Sequence, residues 1–431
     1  MAEAVVRDRD DPVDQLLRRE RMPTEDKSKL PTRRAILTAS GGVGAIAAIG
    51  SIDHLSAGGG LVGKAHASEN ASGKEGLTVL NDRPLNIETP AHLLDDNVTP
   101  AHRMFVRNNG LPPSPTDVEP EAWTLSIDGL VDTPLTLSIA DLKEKFETVT
   151  LQLQLECAGN GRKYFSPGAS GNQWTFGAIA CPEWTGVRLA DVLKAAGVRP
   201  EAVYTAHYGA DIHLTGDPAK EPISRGVPIE KALDPNNLIA WSINGEAMPA
   251  DNGHPLRLVV PGWPGSCSQK WLTRISIIDK VHDGAKMTGQ SYRVPAYPVP
   301  RGTQVADEDM QIIGSLPVRS LITFPETGAR VEPRSPFEVR GHAWAGDRSV
   351  AAMHVSIDHG KTWIEAELSE PANSYAWQHW RAAITLPQAG YFEVWARATD
   401  SSGEMQPATV PGWNPKGYLN NMQHRIALYA V

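Results

Sequence analysis

The 431-residue chain is poor in cysteine, in phenylalanine and in long apolar runs. Its three cysteines, Cys157, Cys181 and Cys267, cannot form a dense disulfide framework. No C-x-x-C pair is present, which argues against a zinc ribbon and against a c-type haem attachment site. Basic residues do not dominate: 41 Lys and Arg stand against 50 Asp and Glu, a formal net charge of -9, so no domain-wide cationic surface points to nucleic acid. What is plentiful is tryptophan, 12 residues against 7 phenylalanines. Tryptophan supplies wide, rigid walls with one N–H donor, which suits a core or a pocket. With 41% apolar and 21% charged residues, the chain has ordinary globular composition and length enough for two or three domains.

Residues 1–34 are polar with mixed charge and read as a tail. Arg33-Arg34 then precedes a weakly apolar, Gly- and Ala-rich stretch from Ala35 to about Ile52, too short for a membrane span, and Ala65-His66-Ala67 gives an A-x-A cleavage pattern. This order reads as a twin-arginine export signal over 1–67, with the mature chain working in the periplasm. Arg18-Arg19 has no apolar run behind it.

Residues 68–120 are Pro- and Asn-rich and predict a segment wrapping over the surface. From Trp123 to Gly129 alternation predicts a strand, Ser138 caps a helix, Val149 to Leu155 reads as a strand leading to Cys157, and Arg188 to Ala196 reads as a helix stopped by Gly197. Pro255 to Val260 is a short apolar strand. This half is mixed, and the fold class is α+β. Beyond about residue 306 the pattern is all strand: Phe337–Trp344, then Met353–Asp358 and Lys361–Glu367 around a His359-Gly360 hairpin turn, then Trp377–Leu386 and Tyr391–Thr399. Such spacing predicts an immunoglobulin-like β-sandwich over 306–431, after a first domain over 68–305.

The chemistry-bearing segment is Cys157-Ala158-Gly159-Asn160-Gly161-Arg162. A strand delivers a thiol to a glycine-rich turn with a basic residue five positions on. The residues alone allow two readings: a small buried hydrophobe, or a thiolate ligand for a soft metal. The segment resembles the molybdenum-ligand motif of the sulfite oxidase family. Four further stretches match that family in order: Phe105-Val106-Arg107-Asn108; Trp174 to Ile179 with Trp184 to Leu189; Asp251 to Arg257 with Val260-Pro261-Gly262; and Lys270-Trp271-Leu272. The sandwich, ending in Trp413 to Gly417 and His424-Arg425, resembles the family's dimerisation domain.

The resemblance implies a molybdopterin-binding domain with one molybdenum–molybdopterin per chain, and Cys157 as the protein's ligand to the metal. It implies catalytic roles for Arg107, Arg162 and Tyr292, with Tyr297 close enough to compete for the tyrosine's place. It implies cofactor contacts from Phe105, Val106, Arg107, Asn108, Asn109, Asp211, Asn252, Arg257, Ser266 and Lys270. His207 and His213 lack a ligand spacing and read as ordinary histidines. Asn109 and Asn252 stand where the family has His, Gly161 where sulfite oxidases have a second Arg, and Ser266-Cys267 lacks a pterin-contacting Arg. Glu367 falls where a further substrate arginine is expected. Sulfite is an anion that carries one to two charges at neutral pH and calls for several cations. A depleted cation set, with added room at Gly161, suits a bulkier and less charged sulfur substrate, as in the family's sulfane dehydrogenase branch of thiosulfate oxidation.

The activity implied is oxygen-atom transfer to sulfur held on a small carrier protein. Because no C-x-x-C-H or H-P-G-G segment is present, electrons are expected to pass to a separate haem protein; the resemblance implies that this is a c-type cytochrome subunit and that two copies of the chain pair through the sandwich. A dehydrogenase of free sulfite is the alternative. A methionine-sulfoxide reductase of the same superfamily would lack the sandwich, and an exported binding module would leave Cys157 inert.

Overall fold

A computed structural model describes residues 73–431. The export signal read at 1–67 lies outside the described residues. Among the described residues no helix is long and apolar enough to cross a membrane.

The first half is built on two sheets. One runs in the order Tyr204–Gly209, Leu272–Ile278, Thr124–Gly129, Leu135–Ser138, with the central pair parallel. The other runs Glu246–Ala247, Leu238–Ile243, Glu183–Arg188, Thr148–Gln152, and Arg257–Val259 also pairs with Leu238–Ile243. Alternation places Leu125, Ile127, Val187, Ile239, Leu258, Ile275 and Ile277 in one buried cluster with the helix residues Leu142, Leu189 and Leu193. The first of these helices, Ile139–Lys145, starts at Ser138, whose side chain accepts from the Asp141 amide while the Asp141 carboxylate accepts from the Ser138 N–H. The second, Leu189–Ala196, ends at Gly197 in the left-handed region, φ 71°.

Two expectations are corrected here. The strand predicted from Val149 to Leu155 is two strands, Thr148–Gln152 and Leu155–Glu156, pairing with different partners. The break lets the chain leave one sheet and carry Cys157 toward a cavity. The surface wrap predicted for 68–120 is instead partly core. Leu85–Glu88 pairs with Val106–Arg107, and Ile87, Leu94, Met104 and Phe105 are buried. Glu88 is buried as well and accepts hydrogen bonds from the Thr175 and Gly177 amides, so it pins the loop before the Ile179–Ala180 strand. The apolar residues of this segment are too scattered for periodicity to reveal, because it inserts residue by residue.

The second half is the expected sandwich. One sheet runs Arg319–Phe324, Pro336–Trp344, Gln378–Thr385, Glu367–Leu368; the other runs Ala329–Val331, His424–Ala430, Gly390–Asp400, Val350–Ser356, Ile364–Glu365. Val339, Met353, Trp380, Val394, Ala396 and Leu428 fill the space between them. The hairpin turn at His359-Gly360 holds, with φ 61° and 79°. Its second strand is split, however: Ile364–Glu365 pairs back on Val350–Ser356, whereas Glu367–Leu368 crosses to the other sheet. Between the halves, Arg293–Pro295 pairs with Met310–Ile312 across the boundary read at 305/306.

Candidate active site

Most of the motif residues converge on one cavity, whose empty space together with the part open to solvent is about 630 Å³. Phe105, Arg107 and Asn109 enter from the Val106–Arg107 strand and the residues flanking it. Cys157 enters after Leu155–Glu156, and Asp211 after Tyr204–Gly209. Asn252, Arg257, Ser266 and Lys270 come from Arg257–Val259 and the two turns that flank it, and Tyr292 precedes Arg293–Pro295. The Cys157 amide donates to the Ala178 carbonyl at 3.0 Å and its carbonyl accepts from the Asn160 N–H at 2.8 Å, which fixes the thiol at the end of the strand. Cys181 and Cys267 are fully buried elsewhere, and burial pushes the Cys181 thiol up to about 12.

In the cavity wall the Arg107 guanidinium donates to the Asn109 side-chain oxygen at 2.8 Å and to the Asn108 carbonyl. The Asn109 amide lies 3.4 Å from the Tyr292 hydroxyl. Tyr292 is 5% exposed and lines the cavity, whereas Tyr297 is 52% exposed and does not.

Two further cations of the lining, Arg257 and Lys270, are desolvated. Arg257 is buried, donates to the Asn252 carbonyl at 2.7 Å and leaves its Nε without a partner; burial holds its pKa down at about 9. The Lys270 ammonium donates to the Asp251 carbonyl at 2.7 Å and to the Asn108 side chain. Burial first, then the charge of Arg257, push its pKa well below the usual lysine value. Burial also pushes the Asp211 carboxyl up to about 6, against the pull of Lys270. The Asn252 Oδ1, Ser266 Oγ and Gln269 Oε1 atoms are buried without partners. Buried cations without a salt bridge among the described residues, beside unpaired donors and acceptors, fit a large anionic, hydrogen-bonding guest such as a phosphate-bearing pterin. Among the described residues no cluster of three or more His, Cys, Asp or Glu side chains could hold a metal. A metal here would therefore draw on the Cys157 thiol and on ligands that an organic cofactor brings.

Several sequence expectations are corrected. Arg162 does not line the cavity: its guanidinium donates to the carbonyls of Lys416 at 2.7 Å and Asn172 at 2.9 Å. Val106 and Asn108 are buried behind the lining, where the Asn108 amide donates to Asn86 and its side chain meets Lys270 and Asp251. Gly161 adds no room. It is left-handed, φ 84°, and a Cβ there would stand 2.8 Å from the Asn420 side chain, which itself donates to the Gly161 carbonyl. Glu367 pairs with Arg381 on the sandwich surface and has no part in the cavity. In keeping with its reading as an ordinary histidine, His207 is a core residue bonded to Thr205 and the Cys267 carbonyl, and burial holds its pKa down at about 3. His213 lies at the surface against Thr215.

Sequence reasoning missed Leu155, Ile223, Ser268 and Gln269 in the lining, and gave Asp251 and Trp271 no role although both lie in its motifs. Only Ser268 and Gln269 carried a usable signal, as neighbours of Lys270. It also missed Arg319. This sandwich residue is buried, paired with Glu156 at 2.7 Å, and donates to the Asn160 carbonyl at 3.2 Å. Glu156 also accepts from Trp344 Nε1 at 2.8 Å, so the residue before Cys157 is tied to the sandwich twice.

The family described as an oxidoreductase molybdopterin binding domain matches residues 112–286, and the Mo-co oxidoreductase dimerisation domain matches residues 310–431. Sulfite oxidase of Gallus gallus is 34% identical over 361 residues, covering 81% of this chain and 77% of that protein. Sulfite oxidase of Arabidopsis thaliana is 30% identical over 393 residues, covering 86% and 98%. The chain spans 66% of the length of the mitochondrial sulfite oxidase of Rattus norvegicus, at 33% identity. Among solved structures, the sulfane dehydrogenase SoxCD from Paracoccus pantotrophus matches with a TM-score of 0.67 and 28% identity, over 80% of this chain and 84% of that one.

Proposed function

The chain belongs to the sulfite oxidase family of molybdenum-cofactor oxidoreductases, and from that premise we propose that it oxidises sulfane sulfur held on a small carrier protein during thiosulfate oxidation. One observation carries the choice of substrate: the hydrogen-bonded group Arg107, Asn109 and Tyr292 of the lining holds a single guanidinium, while Arg162 is committed to two carbonyls. One cation suits a sulfur donor of low charge better than sulfite. The likeness to sulfane dehydrogenase supports the same reading.

When bound, molybdenum held by molybdopterin supplies two-electron oxygen-atom transfer to sulfur. Cys157 would hold the metal, and Arg257, Lys270, Ser266 and Asn252 would hold the pterin and its phosphate. Arg107 orients the negative end of the substrate, with its own rotamer fixed by Asn109. The Tyr292 hydroxyl is placed to donate a hydrogen bond to developing negative charge, and Phe105 and Leu155 keep water from the deep part of the cavity. Electrons would leave to a c-type cytochrome subunit, and two copies of the chain would pair through the sandwich. The work would take place in the periplasm, after export through Arg33-Arg34. Replacing both members of that pair by lysine (R33K with R34K) should leave folded protein in the cytoplasm, as cell fractionation would show.

The relatives named sulfite oxidase favour free sulfite as the second reading. The test is kcat/KM of the purified exported protein for thiosulfate-loaded carrier and for sulfite, with reduction of a c-type cytochrome as the readout. A preference of tenfold or more for the carrier is expected. A preference for sulfite would replace the first reading by the second.

A further inference from the structure

We propose that Tyr418, supplied by the carboxy-terminal sandwich, is a positioning residue for Tyr292, and that Tyr418 and Arg225 together clamp its ring. The inference rests on the reading of Tyr292 as the hydroxyl that faces substrate. Tyr292 is a bulky residue in the left-handed region, φ 51°, a conformation that needs outside support. Tyr418 gives it twice. Its ring stacks on that of Tyr292, with centroids 5.6 Å apart and planes 17° from parallel, and its hydroxyl accepts the Tyr292 backbone N–H at 3.3 Å.

Arg225 also lies over the Tyr292 ring, its guanidinium carbon 4.8 Å from the ring centroid. Arg225 is fully buried, and among the described residues it makes no salt bridge. Its guanidinium donates to the Lys286 carbonyl, sits 3.9 Å from the Cys267 sulfur, and leaves Nε unpartnered. A buried cation without a counter-ion needs an electron-rich surface, and the face of Tyr292 is that surface. Arg162 in turn lies over the Tyr418 ring, 5.1 Å from its centroid. Rotation of the Tyr292 ring about its Cα–Cβ bond breaks both of its facing contacts, so the hydroxyl stays 3.4 Å from the Asn109 amide at the cavity wall.

The test uses the molybdenum-loaded holoenzyme as wild type, Tyr418→Leu, Tyr418→Phe, Tyr292→Phe and the Tyr418→Leu/Tyr292→Phe double variant. Two readouts are taken: turnover of sulfite and of thiosulfate-loaded carrier, and the fluorine resonance of Tyr292 in protein labelled with 3-fluorotyrosine, assigned by its loss in Tyr292→Phe. At equal molybdenum content, Tyr418→Leu should lower kcat at least tenfold with KM within threefold of wild type. The double variant should be no slower than Tyr292→Phe, because Tyr418 acts through Tyr292. The Tyr292 resonance should shift in Tyr418→Leu, and less in Tyr418→Phe. Multiplicative losses in the double variant, or an unmoved Tyr292 resonance, would overturn the proposal. Should Tyr418→Leu fail to fold, Tyr418→Phe carries the test on the resonance alone, and an unmoved signal there overturns it as well. A wild-type protein inactive on both donors, with the resonance still moving in the variants, would sink the functional reading and leave the clamp standing.

Discussion

Cys157 is the thiol of the cavity, and its place is set by two backbone hydrogen bonds rather than by its side chain. Cys157→Ser should therefore fold normally and lose molybdenum or activity; metal and pterin per chain, with a melting curve, check this. Gly161 makes the opposite case, because its importance lies in the backbone. Gly161→Arg should cost about 2 kcal/mol, from a side chain forced into the left-handed region and the displaced Asn420 contact, and should lower the melting temperature. Lost turnover at unchanged stability would instead restore Gly161 to the substrate pocket. Asp211 gives a pH dependence. Its carboxyl is raised in the folded protein to about 6, so the folded state holds the proton more tightly than the unfolded chain does. This contribution favours folding fully below about pH 4 and is lost as pH rises through about 6, by at most about 3 kcal/mol. In cofactor-free protein Asp211→Asn should match wild type near about pH 4 and melt higher above about pH 6.

At the scale of elements, the decisive feature is the short Leu155–Glu156 strand, which points a carboxylate into the sandwich just before it delivers a thiol to the cavity. Alternation marked an apolar and polar series there, but not that the series splits between two sheets, since each strand's partner is set by pairing and not by the series itself. Helix starts and stops were legible because Ser138 with Asp141, and Gly197, act within one turn. The Glu156–Arg319 pair was not, because its members stand in different halves of the chain and nothing local marks either as buried. Arg319→Met leaves a buried carboxylate held only by Asn160 and Trp344, which should cost about 3 to 5 kcal/mol. Thermal stability and molybdenum content should fall together, because the same carboxylate anchors the strand that carries Cys157.

At the scale of the molecule, a second polar lock joins the two halves. The Lys231 ammonium, buried where they meet, lies 2.8 Å from Asp347, 3.3 Å from Asp234 and 2.8 Å from the Tyr375 hydroxyl. Lys231→Met would leave two carboxylates facing each other around Tyr375. It should lower the melting temperature near neutral pH, and the deficit should shrink as the carboxylates protonate below about pH 4. The dimerisation domain thus also builds the active-site half of its own chain, through Glu156, Lys231, Arg162 and Tyr292.

The sequence by itself determined the strand and helix patterns, the two-part architecture and the motif residues at the cavity, because periodicity, caps and a motif within a few residues are local properties. It also carried the thiol and the cations of the guest site, since those need particular side-chain types. Only the tertiary structure decided that Arg162 turns away from the cavity, that Asn420 fills the place beside Gly161, and that Tyr292 rather than Tyr297 faces inward. Each of these depends on packing against a segment from the far end of the chain, where direction and burial are set by the partner surface and not by the neighbours in sequence.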